Sequence, residues 1–541
     1  MEGPALHICA GPVGEGLGRN RRERGGRKEG MADDQGPTAV KVCIAVVEFD
    51  LVQGQIARLV VPEDALSDEE KKDLAYHAFP DSKSVELSLS SGKNSIHDTL
   101  FHFRIRNRQA QPGGWHNAYA FCRQRHDPSL PRGGDQISVV VVSNKPMTTT
   151  LMQIAKFAGE VYFNKGEGVL SQVVESVHSW EESGLAGGRG SVGSDPGDPS
   201  DEGAGEGEAG LWKQMSPSRG GKQLTVRADE FVVPIIVPER KPSSLDAQAA
   251  GGGRWAPSGD AETRMAHSKV CTYSCLSGVV KHLWRIWEVV LLAEPLMIFG
   301  SNPEIVSSSV SACMDLIFPL PYGADYRPYY TIHDEEFSRV QNPENCGRDG
   351  NPTLIGVTNT YFLKACGAWP NILSVGGGDA AGGLAYNSPM SSPRSPRRGS
   401  WSKSWFNFGS ADQRENLISV VDSYTQEFYS GPGTAKENFR VLASLDLTSD
   451  DASEMQWVTS ATINTKLIRR HFQDLTEAFL GPIDPYRKGM YEARGPEEIL
   501  LGLEKAAFPK ILTDCVEREK LLQLYAKFLK CANFKPWFEA R

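Results

Sequence analysis

Four stretches of this chain hold residue types from which chemistry is commonly made. His333-Asp334-Glu335-Glu336 sets an imidazole beside three carboxylates, the pairing that general acid–base catalysis uses. Neighbours in sequence do not by themselves converge on one substrate atom, and no GxSxG nucleophile elbow accompanies them. An acidic helix start, where carboxylates suit the dipole, accounts for the same residues. Cys271 and Cys275 form a CxxxC pair with His267 and His282 nearby, but zinc wants four ligands and no second pair occurs, so ordinary thiols fit better. The run GPGTAK from Gly431 lacks both the spacing and the magnesium-binding hydroxyl of a phosphate loop, and reads as a turn. Ser388, Ser392 and Ser395 each precede proline, and Ser400 follows Arg397-Arg398-Gly399. Phosphates added there would be read by a basic pocket on a partner; a solvated linker of biased composition explains the cluster without regulation. No nucleophile, metal site or cofactor site emerges from these motifs.

The elements that would position such residues fill 541 residues, enough for three or four domains. With 40% hydrophobic and 23% charged residues the chain is globular in class. Lys and Arg number 58 against 67 Asp and Glu, and the resulting −9 argues against a protein built to neutralise nucleic-acid phosphates. Ten scattered cysteines are too few for a disulfide scaffold and point to a reducing compartment. Residues 1–30 are Gly- and Arg-rich without an apolar core, so no secretory signal is expected there, and Met31 is an alternative start. Leu283 to Phe299 is the one candidate membrane span; Arg285, Glu288, Glu294 and Pro295 turn it instead into a helix followed by a buried strand. The chain is expected in the cytoplasm.

Periodicity then divides the chain. Residues 41–180 read as ββαβββαα, a sheet with packed helices: a hairpin around Gly54, a helix opened by the Ser67/Glu70 capping box, and a central strand at Gln136 to Ser143. Residues 1–40 are expected to be a disordered extension and 181–222 a disordered linker, too poor in apolar residues to offset the entropy of ordering. Residues 223–376, with a flexible insert at 240–267, alternate helix and strand as an α/β layer with a largely parallel sheet. A low-complexity, flexible loop is expected over 377–455. From 456 to 541 the chain turns helical, with Ile463, Leu467, Phe472, Leu475 and Phe479 expected on one buried face.

Longer words decide the family. WEVVLLAEPLMIFGSNPE, DYRPYYTIHDEEF, LIGVTNTYF and WPNILSVG together resemble the central module of DENN proteins, most closely the DENN domain-containing protein 6 family. VVEFDLVQGQ, AFPDS and YAFCRQ are similar to its upstream module, and LIRRHFQDLTEAFLGPIDPY with LYAKFLKCANFKPWF to its helical downstream module. The likeness covers about 41–180, 225–376 and 455–541. It implies an α/β fold in three parts, with a longin-like upstream module, and a guanine-nucleotide exchange factor for a Rab small GTPase in endosomal or vesicle trafficking, recruited to membrane through the Rab. A Rab effector or trafficking scaffold without exchange activity is the alternative. Such a protein regulates a GTPase and needs no bond-making residues of its own. Asp325, Tyr326, Arg327, Tyr329, Tyr330, His333 and Asp334 combine aromatic anchors with charges, as partner-contact sites do. The same loop read structurally would stitch two lobes together, with Arg327 paired to an acid.

Overall fold

Val42, Ile44 and Val46 alternate with Cys43, Ala45 and Val47, and all six are buried, so the first strand has protein on both faces. The computed structural model describes residues 42–81, 96–109, 114–127, 129, 134–180, 221–238, 272–375, 427–445, 454–491 and 495–539. The N-terminal lobe is a five-stranded antiparallel sheet of β1 (Val42–Asp50), β2 (Gly54–Val61), β3 (Ile96–Arg106), β4 (Trp115–His126) and β5 (Gly134–Ser143), in the order β2-β1-β5-β4-β3. The β-branched run of β5 takes the central place that its continuous apolarity implied. Helix α1 (Asp68–His77) starts at the expected capping box: the Ser67 N–H donates to Glu70 at 2.8 Å, and the Glu70 N–H to the Ser67 hydroxyl at 3.3 Å. Helices α2 (Thr148–Lys165) and α3 (Val169–Trp180) cover one sheet face, where Ile154, Val161, Leu170 and Val173 meet Val46, Val139 and Val141. The hairpin β6 (Gly221–Ala228) and β7 (Phe231–Pro238) adds Val226, Ala228 and Ile235 to that core. Lys222 is thus in a strand rather than in the expected linker, because β7 supplies a ladder partner that composition does not show.

The opposite sheet face opens into a core shared with the rest of the chain. After α4 (Thr272–Leu276) and a 3-10 turn come α5 (Leu283–Leu291) and β8 (Leu296–Gly300), the helix and buried strand expected of this stretch. No helix among the described residues is long and apolar enough to cross a membrane. Then follow α6 (Pro303–Asp315), β9 (Tyr326–Arg327), α7 (Phe337–Val340), β10 (Leu354–Val357), α8 (Tyr361–Ala365) and β11 (Asn371–Val375). The second sheet, β12-β11-β8-β10-β9, is parallel except where β12 (Glu427–Ser430) joins the edge. β12 and α9 (Phe439–Ser444) lie inside the segment expected to be a low-complexity loop. Their order comes from long-range bonds: Glu288 accepts the N–H groups of Thr434 at 2.8 Å and Ala435 at 3.2 Å, so the GPGTAK amides face an internal carboxylate.

The helical end comprises α10 (Glu454–Leu480), α11 (Asp484–Arg487), α12 (Pro496–Glu504), α13 (Lys510–Cys515), α14 (Arg518–Phe528) and α15 (Phe534–Glu539). The Trp284 indole N–H reaches His471 at 3.1 Å and that of Trp287 reaches Thr476 at 2.9 Å, tying α5 to α10. Phe472, Leu475 and Phe479 are buried as expected, but Ile463 and Leu467 are 47% and 36% exposed. The inward positions of that first half are Ser460, Ala461, Asn464, Thr465 and Ile468, and there the Thr465 hydroxyl accepts the Tyr273 N–H at 3.1 Å.

Since Ser374 pairs with Glu427 across an antiparallel ladder, residues 376–426 are flanked by neighbours in space. Replacing them with a five-residue Gly/Asn/Ser turn shortens the closed loop roughly tenfold, and chain-closure entropy then favours folding by about 2 kcal/mol. Differential scanning calorimetry should show an equal or higher melting temperature. A fall of more than a few degrees would mean that the excised segment contributes packing.

Candidate functional site

The seam between the two sheets is built on strand β3, an edge that would otherwise expose its backbone. Helix α6 covers it with small polar side chains. The His102 N–H meets the Ser307 hydroxyl at 3.4 Å, the His102 ring meets Ser311 at 3.0 Å, and Glu304 receives the Leu100 N–H. Serines at 307, 308, 309 and 311 let the helix lie close, which is why α6 is buried on nearly every side rather than along one stripe. Burial pushes the Glu304 carboxyl up to about 7.

Beyond α6 the seam becomes ionic. Arg327, 3% exposed, donates through Nε to Asp325 at 3.0 Å and through Nη1 to Asp334 at 3.0 Å, and its Nη2 lies 3.4 Å from Glu336. Its guanidinium lies 4.0 Å from the ring centre of Trp115, on β4 of the other lobe. Arg104 and Arg106, on the strand paired with Trp115, face the same indole at 4.7 and 5.2 Å. Arg104 also donates to the Tyr326 carbonyl at 2.9 Å, and Arg106 pairs with Glu336. Arg108 bridges Asp73 at 3.0 Å and Glu335 at 2.6 Å, and holds the Glu335 carboxyl below its usual range. Its backbone N–H donates to the buried Glu70 at 2.7 Å. On the other side of β3, His77 stacks on Phe103 and touches Asp334 at 2.8 Å. Burial pushes the Asp334 carboxyl up, but His77, Arg327 and the Thr331 N–H overcome it, and the net direction is down.

Of the seven residues expected to meet a partner, the structure keeps Tyr326, Arg327, Tyr329, Tyr330 and Asp334 buried, and Asp325 half-buried. The physical reason is that Asp325, Arg327 and Asp334 pair within the ion network, while the Tyr326, Tyr329 and Tyr330 rings pack inside on Arg104, Phe101 and Phe362. The Tyr329 hydroxyl, for instance, takes the Asp81 N–H at 2.5 Å, fastening the AFPD segment after α1. His333 alone of the seven is exposed, stacked 4.9 Å from Tyr76 of the other lobe. Around it lie residues the sequence reading did not single out. Ile332 and Tyr361 are 40% and 52% exposed, and Tyr361 borders the half-buried Phe337 with ring centres 6.1 Å apart. The signal for them was weak, since each sits next to buried neighbours in an apolar word. The His333–Glu336 run is not a catalytic set in this arrangement: Asp334, Glu335 and Glu336 are committed to arginines and His77. Cys271, His267 and the serines at 388, 392, 395 and 400 lie outside the described residues, and among those described no group of three His, Cys, Asp or Glu is placed to hold a metal.

What this arrangement offers is therefore a rigid seam with an aromatic and aliphatic rim: Tyr76 from one lobe, and Ile332, His333 and Tyr361 from the other. Comparison with known proteins finds relatives along nearly the whole length. The chain is 26% identical over 590 residues to mouse Protein DENND6B, covering 99% of this chain and 86% of that protein. It is 26% identical over 556 residues to the Protein DENND6 homolog of Dictyostelium discoideum, covering 91% of this chain and 69% of that protein. Chicken Protein DENND6A is 24% identical over 540 residues, 92% of this chain and 78% of its own. No protein-family model matches the chain.

Removing Arg327 would take the shared cation from three carboxylates at the seam, leaving Asp325 to Arg104, Asp334 to His77 and Glu336 to Arg106. Breaking buried pairs of this kind costs about 3–5 kcal/mol, so Arg327→Ala should lower the melting temperature by roughly 5 °C. Arg327→Lys should recover only part of it, because one ammonium cannot fork to three acids and lacks the planar face for Trp115. Thermal unfolding of both variants checks this, and a melting temperature within 2 °C of wild type for the alanine variant would remove the seam's charges from the account of stability.

Proposed function

We propose that this chain, which belongs to the DENND6 family, is a guanine-nucleotide exchange factor for a Rab small GTPase. It is a DENN-type regulator of another protein's bound nucleotide, acting in vesicle or endosomal trafficking. On this reading the N-terminal sheet lobe is the longin-like upstream module, the mixed sheet is the central DENN module, and the last helices are the downstream module. The protein works from the cytoplasm, is recruited to endosomal membrane through its Rab, and accelerates GDP release by binding nucleotide-free GTPase best. Linkage then requires that nucleotide binds the complex less tightly.

The observation that carries the reading is the rim. Half-buried Tyr76 and exposed Ile332, His333 and Tyr361 straddle the junction of two lobes that are tied together by ions, and aromatic and aliphatic anchors of this sort suit a protein partner. Switch segments held by phosphate and magnesium are what such a surface must compete for. Of the seven residues first proposed for contact, His333 stays in that role. The other six act behind it, fixing where it stands. A Rab effector or trafficking scaffold without exchange would use the same rim with the opposite preference, for the GTP form.

A panel of Rabs loaded with fluorescent GDP, mixed with the full chain and excess GTP, decides between them. Release accelerated on one or two Rabs in proportion to the protein added is the expected result. Flat traces with selective binding to GTP-locked Rabs would replace exchange by the effector reading. Within the responsive pair, Ile332→Asp and Tyr361→Ala should each slow release about tenfold or more while leaving the melting temperature within about 1–2 °C, since both side chains are exposed.

A further inference from the structure

His77 has both ring nitrogens against oxygens that cannot donate. Nδ1 lies 2.8 Å from the Asp73 carbonyl within α1, and Nε2 lies 2.8 Å from the Asp334 carboxylate of the central lobe. That carboxylate already accepts the Thr331 N–H at 2.8 Å and Arg327 at 3.0 Å, so it is ionised. A neutral imidazole has one N–H and would turn a lone pair toward one of the two acceptors. Only the imidazolium satisfies both contacts. We infer that closing the seam between α1 and the Thr331–Asp334 turn takes up a proton at His77, so that pH grades how firmly the turn bearing Ile332 and His333 is held.

The groups facing the ring are few. From α1 comes the Asp73 carbonyl, the Asp73 carboxylate being 3.0 Å from Arg108 instead. From β3 comes the Phe103 ring, with centres 5.6 Å apart. From the central lobe come Asp334 and, opposing protonation, Arg327. Burial disfavours the charged ring, and the Asp334 pair with the Asp73 carbonyl outweighs it, so the His77 pKa rises. Below about pH 6.5 the closed and the open seam both hold the proton and the latch contributes fully. Its contribution is lost as pH rises through the elevated value of the closed state. The latch itself needs only the seam. Its importance to function rests on the exchange reading, because the same turn presents the rim.

The test is a carbon-13 histidine titration of the full chain by NMR from pH 5.5 to 9, with the His77 signal assigned by its loss in His77→Gln. The expected midpoint lies above 6.5, and a midpoint at or below 6.5 overturns the latch. Amide exchange over residues 327–337, corrected for intrinsic chemistry, should accelerate in wild type as pH passes that midpoint and stay pH-independent in His77→Gln. Protection that ignores pH in wild type also overturns it. If His77→Gln fails to fold, Asp334→Asn serves: losing the anion should bring the His77 midpoint below 6.5, and an unmoved midpoint counts against the pairing. On a responsive Rab, nucleotide release should follow the same pH midpoint in wild type and lose it in the variant. If no Rab responds, the exchange reading falls, while titration and amide exchange still decide the latch.

Discussion

The guanidinium of Arg327 gathers the acids that the other lobe's Arg104, Arg106, Arg108 and His77 reach across the seam to meet. It meets Asp325, Asp334 and Glu336 while its face lies on Trp115 of the other lobe. Taking such charges out of water is costly, and a well-packed apolar seam of the same size would often be as stable or more so. What an apolar seam lacks is direction. Leucines and valines tolerate sliding by a few ångströms with little change in buried area, whereas a forked cation such as Arg108, bonded to Asp73 of one lobe at 3.0 Å and Glu335 of the other at 2.6 Å, has one satisfactory position. The seam therefore trades stability for a fixed relation between lobes. The acids that Arg327 holds also fix the neighbouring turn, since Asp334 accepts the Thr331 N–H two residues before His333.

The rest of the junction follows from this choice. Three arginines share one indole, which places a polarisable face among cations that would otherwise repel each other. The surrounding acids, Glu70, Asp73, Asp325, Asp334, Glu335 and Glu336, outnumber Arg104, Arg106, Arg108 and Arg327. His77, against Asp334, is a group able to change that balance near neutrality. Along α6 the link is neutral instead, with Ser307 accepting the His102 N–H and Ser311 meeting the His102 ring. One flank of the seam is thus sensitive to charge and the other is largely indifferent, apart from Glu304.

Local pattern made much of this fold legible. The capping box at Ser67, the hairpin at Gly54, the central β5 and the α5–β8 pair all follow from spacing and residue type, because each is a short-range property. Strand β6, strand β12 and helix α9 were not legible, since they are ordered by partners far away in sequence, such as Glu288 beneath Thr434 and Ala435. Ile463 and Leu467 misled for the reverse reason: periodicity selects apolar residues, and here a polar Thr465 has the inward place. For the DYRPYYTIHD loop, composition gave the right ingredients, but the choice between surface anchor and internal tie depends on where β3 and Trp115 stand. Both roles occur within ten residues, with Arg327 inside and His333 outside.

That division has a mechanical reason. A protein that loosens another's grip on nucleotide gains only from the difference between its affinities for the two forms. If its own lobes yield on binding, part of that difference is absorbed in deforming the seam, and each ~1.4 kcal/mol so absorbed reduces the discrimination about tenfold. A rim mounted on a sliding apolar junction would adapt to nucleotide-bound and nucleotide-free partners alike. On the exchange reading proposed above, a rim mounted on Arg327 and Asp334 resists, and the strain of the encounter passes to the partner's switch segments. The cost of burying four charges at the seam is then understood as the requirement for stiffness at the one place where the two lobes must act together.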